Sequence, residues 1–267
     1  MSAGLSGDCR GPAVAGMFYP AEPARLAAEV DALLSAAAPE PVPAGRLPAL
    51  VVPHAGYRYS GQVAAVAYAA LARRWLPVRA VLLGPSHIVP LTGSAVPRAV
   101  EWSTPLGAVP IDPAARERAT AVPGVHATDE QHAAEHSLEV QLPFLQRSLD
   151  PRLPVLPVVT AAGPDDVADL LDAVADPDTL IVASTDLSHH LPDPEARRRD
   201  RRTLDAVLAL DPDRIGPGAA CGANALRGLL AWAGRTGRTP TLLSYRTSAD
   251  ATGDRSRVVG YAALALA

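Results

Sequence analysis

Four short runs, residues 49–52, 80–83, 155–159 and 180–183, are apolar from end to end, and segments with helical spacing lie between them. An unbroken apolar run is the mark of a strand buried on both faces, as in a parallel sheet covered by helices. The alternation therefore predicts an α/β fold: a single domain with a largely parallel or mixed central sheet and helices on both faces. Residues 62–74 and 165–174 read as helices, as does the earlier segment 22–34. Residues 241–245 and 257–265 read as two further strands joined by the polar loop 248–256. The Pro-rich stretch 36–48 reads as a surface connector.

The length of 267 residues suits one core, so residues 1–267 form one unit, with 1–11 read as a flexible N-terminal tail. A net charge of −4 argues against a nucleic-acid footprint, and the complete absence of lysine reads as coding bias. The arginine run from Arg197 to Arg202 reads as the solvated face of a helix. Two cysteines, Cys9 and Cys221, make no disulfide scaffold and point to a reducing cytoplasm. The first ten residues lack the basic and apolar regions of a secretory signal, and no apolar stretch is long enough for a membrane helix.

In an open α/β sheet, residues far apart in sequence meet in the crevice at the carboxyl ends of the strands. His54 and His87 each stand just past an apolar run, beside Gly or Pro that lets the backbone turn. Asp186 and His189 share the segment after the run at 180–183, and Cys221 precedes the apolar helical stretch 223–233. Two imidazoles, a carboxylate, a third His and a thiol in one cleft would make a metal or redox site. Each has a plainer reading as well: strand-capping His, helix N-cap for Asp186, and a small packed hydrophobe for Cys221. A thiol at a helix N-terminus favours thiolate, as nucleophile or as soft metal ligand. The string His132-Ala133-Ala134-Glu135-His136 matches the H-x-x-E-H pattern of one class of zinc peptidases. That chemistry needs both His on one helical face, whereas Ser137 reads as the N-cap of a helix over 138–149, leaving both outside it. No G-x-S-x-G elbow supports serine hydrolysis, and the G-x-G-x-x-C run before residue 222 lacks the strand and third glycine of a dinucleotide fingerprint.

Longer strings carry a resemblance. They include Pro53-His54-Ala55-Gly56-Tyr57-Arg58-Tyr59-Ser60-Gly61, Gly84-Pro85-Ser86-His87, Glu135-His136-Ser137-Leu138-Glu139, Ser184-Thr185-Asp186-Leu187-Ser188-His189 and Cys221-Gly222. Through them the chain resembles the MEMO family, which is similar in fold to the LigB-like class III extradiol dioxygenases. The resemblance implies a metal triad of His54, His87 and Cys221, with Asp186 and His189 lining the same pocket and His189 as acid/base. Tyr57 and Tyr59, beside His54, together with His136 and Glu139 are candidates for the pocket wall, ordinary packing being the plainer reading of the two tyrosines. Cys221 would stand where those dioxygenases place a carboxylate, so the implied metal is iron or copper, with zinc as the alternative. The function implied is non-heme, metal-dependent redox chemistry. The alternative is a non-catalytic protein that binds a small molecule or peptide in the old cleft, and the zinc peptidase ranks below both. Radical-SAM and AMMECR-type proteins are the implied partners, with no nucleic acid and no membrane.

Overall fold

The computed structural model describes residues 8–37 and 45–267. Within them the strands are β1 Cys9–Arg10, β2 Ala49–Val52, β3 Arg79–Gly84, β4 Ser94–Val96, β5 Glu101–Thr104, β6 Gly107–Pro110, β7 Val125–Ala127, β8 Val155–Thr160, β9 Thr179–Ser184, β10 His189–Leu191, β11 Pro240–Thr247 and β12 Val258–Leu266. The principal sheet runs β10-β12-β2-β9-β3-β8-β4-β7, with β11 also paired to β12. Its centre, β2-β9-β3-β8, is parallel. β12 joins β2 antiparallel and β4 joins β8 antiparallel, so the sheet is mixed. A small second sheet has the order β1-β5-β6.

The four central strands are the four apolar runs, and their residues alternate between two cores as a period of two requires. Leu50, Val52, Leu82, Val159, Leu180 and Val182 face one cluster, in which the helices Pro23–Ala36, Tyr57–Ala72 and Leu142–Ser148 bury Leu26, Val63 and Phe144. Ala49, Val51, Val81, Leu83, Val158 and Ile181 face the other, built with the helices Pro164–Val174, Asp193–Leu208 and Ala223–Thr236. The expected α/β class, with helices on both faces, is the architecture observed.

Helix ends follow their local signals. Glu22 accepts N–H bonds from Ala24 and Arg25 ahead of Pro23, and Asp112 caps Pro113–Thr120 through Ala115. Ala223–Thr236 stops at Gly237, whose φ of 69° is left-handed. Among the described residues no helix is long and apolar enough to cross a membrane.

Three expectations change. Residues 1–7 lie outside the described residues, but residues 8–11 are no tail: β1 pairs parallel with β5, and Arg10 is 2% exposed. The middle of the connector, 38–44, also lies outside the described residues, and its end is buried at Leu47. The helix expected over 138–149 is a 3-10 turn, Glu139–Gln141, followed by the α-helix Leu142–Ser148. Ser137 does not cap it; its hydroxyl donates to the Pro85 carbonyl.

Candidate metal centre

β2, β9 and β3 are neighbours, and their carboxyl ends deliver His54, the Ser184–Asp186 segment and His87 to one crevice. His54 is buried, and its backbone N–H donates to Asp186 Oδ1 at 2.8 Å. Its Nδ1 lies 3.0 Å from Ser184 Oγ. The single Ser184 hydroxyl hydrogen goes to the Ser137 carbonyl at 2.6 Å, and the Gln141 amide donates to the same oxygen at 2.8 Å. Ser184 can therefore only accept from His54, so Nδ1 carries the proton and Nε2 keeps its lone pair. That lone pair faces Cys221 Sγ at 3.1 Å.

The other imidazoles are set by one carboxylate. Glu135 accepts from His87 Nδ1 at 2.9 Å and from the backbone N–H groups of His87, His136 and Ser137 at 2.6, 2.9 and 2.8 Å. Burial alone would raise the Glu135 carboxyl, but these donors and the charge of His87 hold it down to about 2. Burial would lower His87, yet hydrogen bonds to Cys221 and Glu135 raise it to about 9. His136, stacked on His87 at 4.7 Å, is lowered to about 4 by burial and then by His54.

One nitrogen each of His54, His87 and His136 lies within 4.8 Å of the others, a group that could hold a metal ion. Two nitrogens at roughly 2.1 Å from one metal are separated by at most about 4.2 Å, so only a small closure is needed. The donor set fits: a His54 lone pair fixed by Ser184, a His87 imidazole oriented by Glu135, a His136 whose backbone Glu135 holds, and a sulfur at the edge. Hydrogen-bonded outer residues of this kind are what metal-binding His require.

Cys221 reaches this place because its Sγ accepts the Asp186 N–H at 3.2 Å while its own N–H donates to the Asp186 carbonyl. His136, expected only to line the pocket, is the third imidazole. Asp186 is buried and holds the His54 backbone. His189 is exposed at the start of β10, its Nδ1 donating to the Leu187 carbonyl at 2.8 Å.

Tyr59 is 38% exposed, whereas Tyr57 and Glu139 are buried. Tyr57 is buried against Phe144, with its hydroxyl on the Val140 carbonyl. Glu139 is fully buried and accepts from Arg10, Tyr19 and the N–H groups of Ala13 and Val14.

The peptidase geometry is not met. The helix Glu130–Ala133 ends before His136, and His132 is buried against Trp102 instead. Glu135 has its oxygens committed to N–H groups, which leaves no free general base. Sequence reading gave Ser184 and Gln141 no role, and Glu135 one only in the rival peptidase string. The one signal available was that Glu135 stands directly before a His in a segment already rich in them.

The family described as Memo-like protein matches residues 10–265. MEMO1 family proteins of Methanopyrus kandleri and Aquifex aeolicus are 38% and 37% identical, over 96% and 94% of this chain and 98% and 97% of their own lengths. An uncharacterized protein from Escherichia coli K12 shares the fold, with a TM-score of 0.54 at 15% identity over 82% of this chain and 99% of that one. A family match over nearly the whole chain, together with full-length relatives well above 30% identity, means that the chain belongs to the Memo-like protein family.

Proposed function

We propose that this chain is a metal-dependent redox protein in which His54, His87 and Cys221 bind iron or copper, with His136 beside them. The observation that carries the reading is the forced tautomer of His54, which aims an Nε2 lone pair at Cys221 Sγ 3.1 Å away. Bound there, iron or copper would supply one-electron chemistry at a softer site than an all-oxygen one. The chain's own part is to orient: Ser184 fixes His54, Glu135 fixes His87 and His136, and the Asp186 backbone N–H holds the sulfur. His136, kept neutral by burial and then by His54, leaves a ring nitrogen able to face the ion beside those of His54 and His87.

Elemental analysis of protein purified anaerobically tests this. Near-stoichiometric iron or copper is expected in the unaltered chain, and is expected to be lost in Cys221→Ala and in the His54→Ala/His87→Ala double variant. Metal retained by the double variant, or none taken up by the unaltered chain on anaerobic reconstitution, would sink the reading.

A further inference from the structure

A cavity of about 280 Å³ bordering the helix that follows His54 is cationic and has no free acid of its own. Arg58, Tyr59 and Gln62 line it from the first turns of the helix after His54, and Arg246, Thr247 and Asp250 from the other side. Asp250 is already answered: both oxygens lie 3.1 Å from Arg197 Nη2, and Oδ2 accepts the Thr247 N–H at 2.8 Å. Arg58 and Arg246 have no carboxylate partner among the described residues; Arg58 lies over the Tyr59 ring at 5.4 Å. Two guanidinium groups facing one cavity repel each other, and an oxyanion between them would remove that repulsion and meet their fork of donors.

The cavity is also placed to serve the centre. Arg246 and Thr247 pair in register with Tyr261 and Gly260 of β12. Gly260 in turn exchanges backbone hydrogen bonds with Leu187 and Ser188, directly after Asp186. Two strand spacings separate Thr247 from that segment, roughly 10 Å. Arg58 follows His54 by one short turn and also bounds a second cavity of about 430 Å³, whose Phe18 packs on the His136 ring at 4.7 Å.

We infer that Arg58 and Arg246 form a subsite for the anionic group of the substrate, a carboxylate or phosphate monoester, whose reacting end lies at the His54 centre. The inference rests on the reading of that centre as the reacting site and names the class of substrate it takes.

Ligand-observed NMR titration of the full chain at low ionic strength, with inorganic phosphate and separately with benzoate, tests it. Saturable binding of at least one probe is expected, weakened roughly tenfold or more in Arg58→Gln and in Arg246→Gln. The exposed Arg198→Gln variant, on the helix Asp193–Leu208, is expected to bind as the unaltered chain does. Whichever probe binds tells carboxylate from phosphate. No saturable binding of either, or an equal loss in Arg198→Gln, overturns the subsite. Metal content on the same samples separates the two claims. Arginine-dependent binding in a chain that never holds metal leaves the subsite and removes the redox reading, and metal without anion binding does the reverse.

Discussion

Within one short stretch, Glu135, His136 and His132 meet burial in different ways. Glu135 stays charged because four N–H groups converge on it, and it orients the His87 imidazole and holds the His136 backbone. His132 has no such support. Among the described residues neither ring nitrogen has a partner with hydrogen-bond geometry, and the ring packs edge-on to Trp102. Burial first, and the nearby Arg10 charge second, lower its basicity from 6.5 to about 3. The sign follows from linkage: in that window the unfolded chain binds a proton that the folded chain refuses. His132 thus penalises folding progressively as the pH falls below about 6.5, by up to roughly 1.4 kcal/mol per unit. Denaturant unfolding from pH 7 to 4.5 should show His132→Phe losing less stability than the unaltered chain. Parallel pH curves for the two proteins would mean that His132 is solvated or paired, contrary to its place here.

Two glycines decide whether the elements can bring the centre together. A Cβ on Gly84, at the end of β3, would stand 2.7 Å from Leu138 Cδ2 and 3.0 Å from Ser137 Oγ, so only glycine lets the His136 segment close on His87. A Cβ on Gly222 would stand 2.8–2.9 Å from Thr185 Cβ, Thr185 Oγ1 and the Ser184 carbonyl. Gly222→Ala must push the start of the helix Ala223–Thr236 off β9 and carry Cys221 away from His54. We expect a loss of roughly 1–3 kcal/mol in thermal or denaturant unfolding, together with a weakened metal site. Gly234, in the last turns of the same helix, faces open space, and Gly234→Ala should stabilise by about 0.5–1 kcal/mol. Equal effects at the two positions would refute the close approach. This also marks where sequence reading stopped. β2, β3, β8 and β9 were legible because burial on both faces leaves unbroken apolar runs, and His54, His87 and Cys221 because they sit at the ends of such elements. β4 and β7, three residues each, carry no period to read. His136 takes its place as third imidazole through a contact between Gly84 and Ser137, which no local pattern encodes.

At the scale of the molecule, the N-terminal segment is bound to the stretch that carries the centre. Arg10 donates to Glu139 at 2.7 Å and to the carbonyls of His132 and Glu135 at 2.7 and 2.6 Å, and it lies over the Trp102 ring at 4.3 Å. Glu139 gathers Ala13, Val14 and Tyr19 in return, and Phe18 of the same segment packs on His136. Nothing in the sequence joins Arg10 to Glu139, since a lone Arg and a lone Glu so far apart have no spacing to betray them. The pair is fully desolvated, with side-chain exposures of 3% and 0%, so removing one partner strands the other's charge. Glu139→Ala should therefore cost about 3–5 kcal/mol in denaturant unfolding. Replacing both ends with leucine usually restores such a loss, because no charge is left buried. Here it should restore only part, since the Tyr19 hydroxyl and the Ala13 and Val14 N–H groups would still lose their acceptor. A loss below about 1 kcal/mol in Glu139→Ala would show that the segment is not held by this pair. Full recovery in the Arg10→Leu/Glu139→Leu double variant would show that Glu139 answers Arg10 alone, rather than anchoring the whole segment from Arg10 to Tyr19 beside His136.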